Sequence, residues 1–237
     1  MIKKFTGIVI EVQQLGADKN VTLLTAEEGL VNIQVENSGE NVLKFSLAKQ
    51  PFTFGYFEAQ TVGDIFYRLE RCTVVETFEN LKQNLSKKTE ALNIILVVKE
   101  IAQYNDTDTP LFYELITALK TLNYDNVPNN LVLTKLLSNV CAGFTKTLNF
   151  DICASCQSTL KPPIYLNFEN NVFVCPLCKS KNCARFTNSL IQSFITLVKT
   201  EYARLNSLSL TNIQQLLQIL KENYRFKVAK RFKFYPE

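Results

Sequence analysis

The stretch 151–184, DICASCQSTLKPPIYLNFENNVFVCPLCKSKNCA, decides how the rest of the chain is organised. It holds Cys153-x2-Cys156 and, after eighteen intervening residues, Cys175-x2-Cys178. A CxxC turn aims two thiolates at one point, and a second knuckle completes a closed tetrahedron around a metal ion. The expected occupant is one structural Zn2+ held by Cys153, Cys156, Cys175 and Cys178. Between the knuckles, Pro162-Pro163 turn the chain, and residues 164–166 and 172–174 predict two short hairpin strands around Asn170-Asn171.

Two other uses of these thiols compete with structural zinc. Disulfides would need an oxidising compartment, but the start of the chain, MIKKFTGIVIEV, lacks a cleavage site and continues as a strand. Catalytic zinc would need an open coordination position and an acid/base partner, usually with a histidine ligand. The sequence has no histidine, which excludes His-based zinc chemistry and His acid/base catalysis. Cys183 is a fifth local thiol and an alternate ligand, although the paired spacing favours the other four.

The 237 residues, 46% hydrophobic and 20% charged, are enough for one large or two small globular domains with a real core. No apolar run approaches the length of a membrane span, so a cytosolic protein without membrane contact is expected. The net charge of +4 is unevenly distributed. Residues 1–78 carry 7 Lys/Arg against 10 Asp/Glu, whereas residues 79–237 carry 19 against 12, so the basic surface belongs to the second part.

Residues 1–78 read as strands: 4–12, 21–25, 30–35, 42–47, 52–60 and 65–75, with turns at Leu15-Gly16-Ala17-Asp18, Glu28-Gly29 and Asn37-Ser38-Gly39. Short strands at regular spacing predict a small closed barrel of OB-fold size, and an SH3-like barrel would read almost the same. After Thr77 the apolar period becomes helical. Helices are expected at 86–103, after Thr109-Pro110, after Val127-Pro128, at 189–205 and at 210–224, with apolar stripes that form a core. Cys72 and Cys141 read as small buried apolar residues rather than reactive thiols. The expected fold class is α+β and multidomain: an OB-fold barrel at 1–78, then a helical domain at 79–237 carrying the zinc module at about 150–184.

The closing stretch, TyrArgPheLys onward from Tyr224, sets Arg225, Lys227, Lys230, Arg231 and Lys233 among Phe226, Phe232, Phe234 and Tyr235. Two readings stand open there. Cations and flat rings together suit single-stranded nucleic acid; equally, they suit a helix end whose aromatics pack inward while its cations meet the C-terminal dipole.

The order of parts resembles the RecO family of recombination mediators over nearly the whole chain. In the barrel the resemblance rests on Leu15-Gly16-Ala17-Asp18-Lys19-Asn20-Val21-Thr22-Leu23-Leu24-Thr25, then Glu28-Gly29-Leu30. Residues 52–58 followed by Gly63-Asp64-Ile65-Phe66-Tyr67-Arg68-Leu69 are similar to the family's last two barrel strands. Leu136-Leu137, Gly143-Phe144 and Leu148 then lead into Cys153-Ala154-Ser155-Cys156, as the family's helix leads into its first knuckle. The resemblance implies a non-enzymatic role in DNA repair. It implies binding to single- and double-stranded DNA, annealing of strands coated with single-strand-binding protein and, with RecR, loading of RecA at gaps, in the bacterial cytoplasm at the nucleoid.

One departure matters. Where many members carry a basic segment after the second turn, this chain reads Gln34-Val35-Glu36-Asn37-Ser38-Gly39-Glu40. The expected DNA contact therefore shifts toward Lys3, Lys4, Lys19 and the basic stretch Arg225, Lys227, Lys230, Arg231 and Lys233. A rival reading from another class is a zinc-stabilised adaptor that binds proteins and barely touches DNA, which the acidic barrel keeps alive. A zinc-dependent nucleic-acid enzyme is disfavoured, because Cys175-Pro176-Leu177-Cys178 differs from the deaminase signature, in which proline precedes the first cysteine.

Overall fold

The computed structural model describes residues 1–62, 66–102, 109–143 and 148–232, with 228–232 described by backbone alone. Gly63, Asp64, Ile65, Gln103, Phe144, Lys233, Phe234 and Tyr235 lie outside the described residues. The chain divides into two compact units, Met1–Tyr124 and Asp125–Glu237.

In the first unit five strands close into a barrel: β1 (Ile2–Leu15), β2 (Asp18–Thr25), β3 (Gly29–Val35), β4 (Phe54–Val62) and β5 (Phe66–Glu76). Closure follows from the length of β1. Its first half pairs with β4 (Ile2↔Gln60 to Ile8↔Phe54) and its second half with β2 (Gly7↔Thr25 to Leu15↔Asp18), with a bulge between Val9 and Glu11 bending it from one partner to the other. A short parallel pairing of β3 with β5 (Ile33↔Tyr67, Gln34↔Arg68) seals the seam. The strand order β1-β2-β3-β5-β4 is that of an OB-fold. Inside lies one apolar cluster that includes Phe5, Val9, Leu23, Ile33, Phe57 and Leu69.

The strand expected at 42–47 is instead a short helix, α1 (Asn41–Lys44), followed by a turn. Just past it, Phe45 and Ala48 are buried, three apart, while Leu43 and Leu47 face solvent. That is not the alternation of a strand. Phe45 and Ala48 join the barrel's apolar cluster.

Three helices complete this unit: α2 (Glu79–Gln83), α3 (Leu85–Ile101) and α4 (Thr109–Tyr124). Asn84 caps α3, its side chain accepting from Lys87 N at 3.1 Å. The stripe predicted for α4 (Leu111, Phe112, Leu115, Ile116, Leu119 and Leu122) is buried throughout.

The second unit begins with α5 (Leu131–Cys141) and continues with β6 (Ile164–Asn167), β7 (Val172–Val174) and β8 (Cys183–Phe186). The predicted hairpin is β6–β7, and β8 joins its free edge to give the order β7-β6-β8. Helix α6 (Asn188–Lys199) follows, capped by Thr187. It stops short of the expected 205; the chain resumes as a 3₁₀ turn, Tyr202–Ser207. The last helix, α7 (Ile213–Phe232), runs past the expected 224 into the basic stretch.

One face of the small sheet carries Ile164, Leu166, Phe173 and Phe186, all buried. Phe173 and Phe186 meet edge to face at 5.2 Å, and Phe150 and Phe194 of α6 close the group with Phe150 4.7 Å from Phe173. Such ring contacts contribute beyond their buried area. The hairpin turn is tied in by polar contacts. Asn171, with positive φ, donates from Nδ2 to the Cys141 carbonyl at the end of α5 and accepts from Asn223 Nδ2 of α7 at 3.0 Å. A helix-end carbonyl without a partner in its own helix is thereby satisfied.

Candidate metal centre and basic surface

The first knuckle is a tight backbone loop. Cys153 N donates to Ser158 O at 2.8 Å, Gln157 N donates back to Cys153 O at 2.9 Å, and Gln157 takes a left-handed conformation at φ 59°. The second knuckle starts where β7 ends, with Cys178 N donating to Cys175 O at 3.1 Å. A hydrogen bond from Ala154 N to Phe173 O, 3.1 Å, brings the two loops together.

The four sulfurs of Cys153, Cys156, Cys175 and Cys178 consequently lie within 4.8 Å of one another. Sulfurs about 2.3 Å from a central zinc in a tetrahedron are about 3.8 Å apart. Cys156 Sγ and Cys175 Sγ are 3.8 Å apart, so the donor set fits a four-thiolate metal site. Cys183 stands outside this group; its sulfur accepts from Ser180 N at 3.3 Å.

The electrostatics of the cluster favour a cation. Burial works to raise the Cys153 thiol, but backbone N–H groups of Cys156, Cys175 and Ser155 outweigh it and draw it down to about 6. Cys156 is lowered by the Ser158 hydroxyl and backbone. Cys178, hydrogen-bonded to the sulfurs of Cys156 and Cys175, is pushed up to about 12. Thiols this close cannot all ionise by themselves, and a bound dication removes that repulsion. The remaining cysteines behave differently. Burial pushes both the Cys72 and Cys141 thiols up to about 11, as suits inert packing groups.

The predicted basic residues are dispersed. Lys3 donates to Glu28 Oε1 and to the Tyr67 hydroxyl, each at 2.8 Å, and these two contacts raise it to about 12. Lys4 faces Glu58 at 3.3 Å across the β1–β4 pair. Lys19 lies at the start of β2, opposite Val35. On α7, Arg225 is exposed and Lys227 half-buried, and the backbone carries Lys230 and Arg231 one turn beyond Lys227. Phe226 packs on Phe168 at 6.2 Å, so this ring serves the unit's own interior.

The structure adds cations that the sequence reading passed over. Lys161, Lys179 and Lys181, inside the cysteine stretch, and Arg185, just after it, are exposed and have no ion-pair partner among the described residues. Their signal was a Lys179-x-Lys181 pair beside the second knuckle. The second unit also holds an apolar concavity lined by Ala142, Leu148, Phe150, Phe194, Ile195, Val198 and Lys199. No helix among the described residues is long and apolar enough to cross a membrane.

Comparison with known proteins places this geometry. The model of the family described as "Recombination protein O C terminal" matches residues 83–235. The chain belongs to the RecO family. The RecO match runs from the end of α2 into the C-terminal stretch and includes all four clustered cysteines. Similar proteins named DNA repair protein RecO include one from Caldicellulosiruptor bescii, 25% identical over 87% of this chain and 84% of its own length. Another, from Bacillus subtilis, is 24% identical over 98% of this chain and 94% of its own. A third, from Caldanaerobacter subterraneus subsp. tengcongensis, is 25% identical over 91% and 88%.

Proposed function

We propose that this chain is a recombination mediator in DNA repair, acting by binding and strand annealing rather than by bond chemistry. It binds single- and double-stranded DNA, anneals complementary strands coated with single-strand-binding protein and, with RecR, promotes RecA loading at gaps. It does so in the bacterial cytoplasm, at the nucleoid. RecO-family membership carries this reading.

The distribution of charge supports it. Residues 125–237 hold 14 Lys/Arg against 6 Asp/Glu, a net +8, and such an excess draws a polyanion to the second unit. Lys3 and Lys4 already face carboxylates. The contact is assigned chiefly to Arg225, Lys227, Lys230, Arg231 and Lys233 on the basic stretch, with Lys19 as the barrel's contribution. One Zn2+, held by Cys153, Cys156, Cys175 and Cys178, supplies fold stability and no reactive position, because four thiolates fill its tetrahedron.

The rival is a metal-stabilised adaptor that binds protein partners. The acidic first unit, with 12 Lys/Arg against 16 Asp/Glu, favours it. Strand annealing separates the two. Complementary oligonucleotides coated with cognate single-strand-binding protein are expected to anneal faster with this protein, which carries one zinc per chain. No acceleration, alongside binding to the coat protein or RecR, would establish the adaptor.

A further inference from the structure

The small sheet has a second face. Residues directly opposite in an antiparallel pair share a face. Tyr165 of β6 is opposite Arg185 of β8 and Val174 of β7. Their face is therefore the reverse of the one that buries Leu166, Phe173 and Phe186. Tyr165 is half-exposed and Arg185 exposed, and Lys179, just after the second knuckle, holds its Nζ 5.0 Å from the centre of the Tyr165 ring. Lys181 is exposed two residues further on. The acidic residues of the stretch are Asp151 and Glu169, and Glu169 is engaged by Asn182 Nδ2 at 2.9 Å.

We infer that this outer face of the cysteine module is a single-stranded DNA contact, in which the Tyr165 ring stacks on an unpaired base while Lys179 and Arg185 take the flanking phosphates. The inference rests on the nucleic-acid reading above and assigns it residues outside the C-terminal helix. Three physical points carry it. The ring is held at a fixed place by β6, with a cation beside it on β8 at ladder distance. Lys179 rests over the ring through an exposed cation–π contact, which is weaker than a base–aromatic stack. An arriving base can therefore displace the ammonium, whose flexible stem then swings it to the phosphate of the same nucleotide. Finally, the knuckle immediately before Lys179 and the strand that bears Arg185 are both anchored within the module, so little ordering accompanies binding.

A single strand suits this face better than a duplex, because in a duplex the base faces are already stacked. It also suits it better than a run of acidic side chains, which would meet the cations but place no flat group on the ring.

The test uses the full-length, zinc-loaded protein and a fluorescent oligothymidylate, with binding followed by anisotropy across a salt series. The K179E/R185E pair is expected to weaken binding about tenfold beyond a control pair of equal charge change, K44E/K120E. It should also flatten the slope of log K against log salt by about 1.4, the release expected from two phosphates of a single strand. Tyr165→Leu should weaken binding about fivefold or more, and Tyr165→Phe, which keeps the ring, should match the wild type. Zinc content and melting temperature are read on every variant. Reversal indistinguishable from the control pair, with wild type binding well, would overturn this face and leave the DNA-binding reading standing. Unchanged DNA binding with lost binding to polyglutamate would overturn it in favour of an acidic protein partner. A wild type that binds no DNA would overturn both.

Discussion

The two compact units use their cations in opposite ways. In residues 1–124, with net charge −4, five of the twelve basic side chains meet acids: Lys3 with Glu28, Lys4 with Glu58, Arg68 with Glu36, Lys82 with Glu79 and Lys99 with Glu11. In residues 125–237, with net charge +8, Lys161, Lys179, Lys181 and Arg185 stand exposed with no carboxylate against them among the described residues. Cations of the first kind contribute to the fold, and those of the second remain open to a polyanion. The units also differ in what closes them. The barrel closes through its own hydrogen-bond ladder, with each strand paired on both sides. The cysteine module has strands of three or four residues, too short to stand alone, and its loops converge on four sulfurs.

The largest effect should come from breaking that second kind of closure. Cys153→Ala or Cys175→Ala is expected to release the zinc and unfold the module. Structural zinc supplies roughly 10–16 kcal/mol of apparent folding free energy in small zinc peptides. Amide protection in β6, β7 and β8 should disappear, whereas that of β1 through β5 should persist. Zinc lost with protection unchanged in both variants would show that the module closes on its Phe150, Phe173, Phe186 and Phe194 cluster alone.

The barrel's counterpart is a backbone approach. A Cβ at Gly55 would collide with the carbonyl oxygen of Thr73, where β4 crosses β5 at a bulge. Gly7 sits directly opposite Gly55 on β1, so bare backbone faces bare backbone at this point of the closure. Gly55→Ala should therefore cost about 1–3 kcal/mol, seen in the urea midpoint, with zinc content untouched. A neutral result would mean that the bulge absorbs the extra carbon and that closure tolerates more slack than the ladder suggests.

What could be read from sequence followed the same division. Barrel strands announced themselves through β-branched and aromatic runs between Gly and Asx turns, and the cysteines through spacing alone. Segments with few such residues did not. The run 42–47 is apolar enough for a strand, and only the burial of Phe45 and Ala48 three residues apart, just past α1, breaks the alternation a strand would need. Strand β8, Cys183-Ala184-Arg185-Phe186, has no β-branched residue and forms because β6 offers it an edge. That omission hid Arg185 and with it the outer face of the module. The pairing of Lys3 with Glu28 and Tyr67 joins three strands or turns that are remote in sequence, so nothing local marked Lys3 as already engaged.

The smallest expected effect probes the first unit's matched cations through pH. Glu11 on β1 accepts from Lys99 of α3 at 2.6 Å, and that contact first of all holds the Glu11 carboxyl below its ordinary value of 4.5. A carboxylate whose pKa is lowered by folding stabilises the native state above its unfolded value, and this contribution fades as pH falls from 4.5 through the lowered one. Both side chains are about a third exposed (34% and 30%), so solvent screens the pair and its worth is less than about 1 kcal/mol. Lys99→Met should thus lower the melting temperature slightly at pH 7, and the gap to wild type should close in acid. A gap that stays constant down to pH 3 would show that the contribution of Lys99 does not depend on the ionisation of Glu11. In that case even the first unit's cations would not be serving as ion-pair partners, and the contrast between the units would rest on the exposed cations of the cysteine module alone.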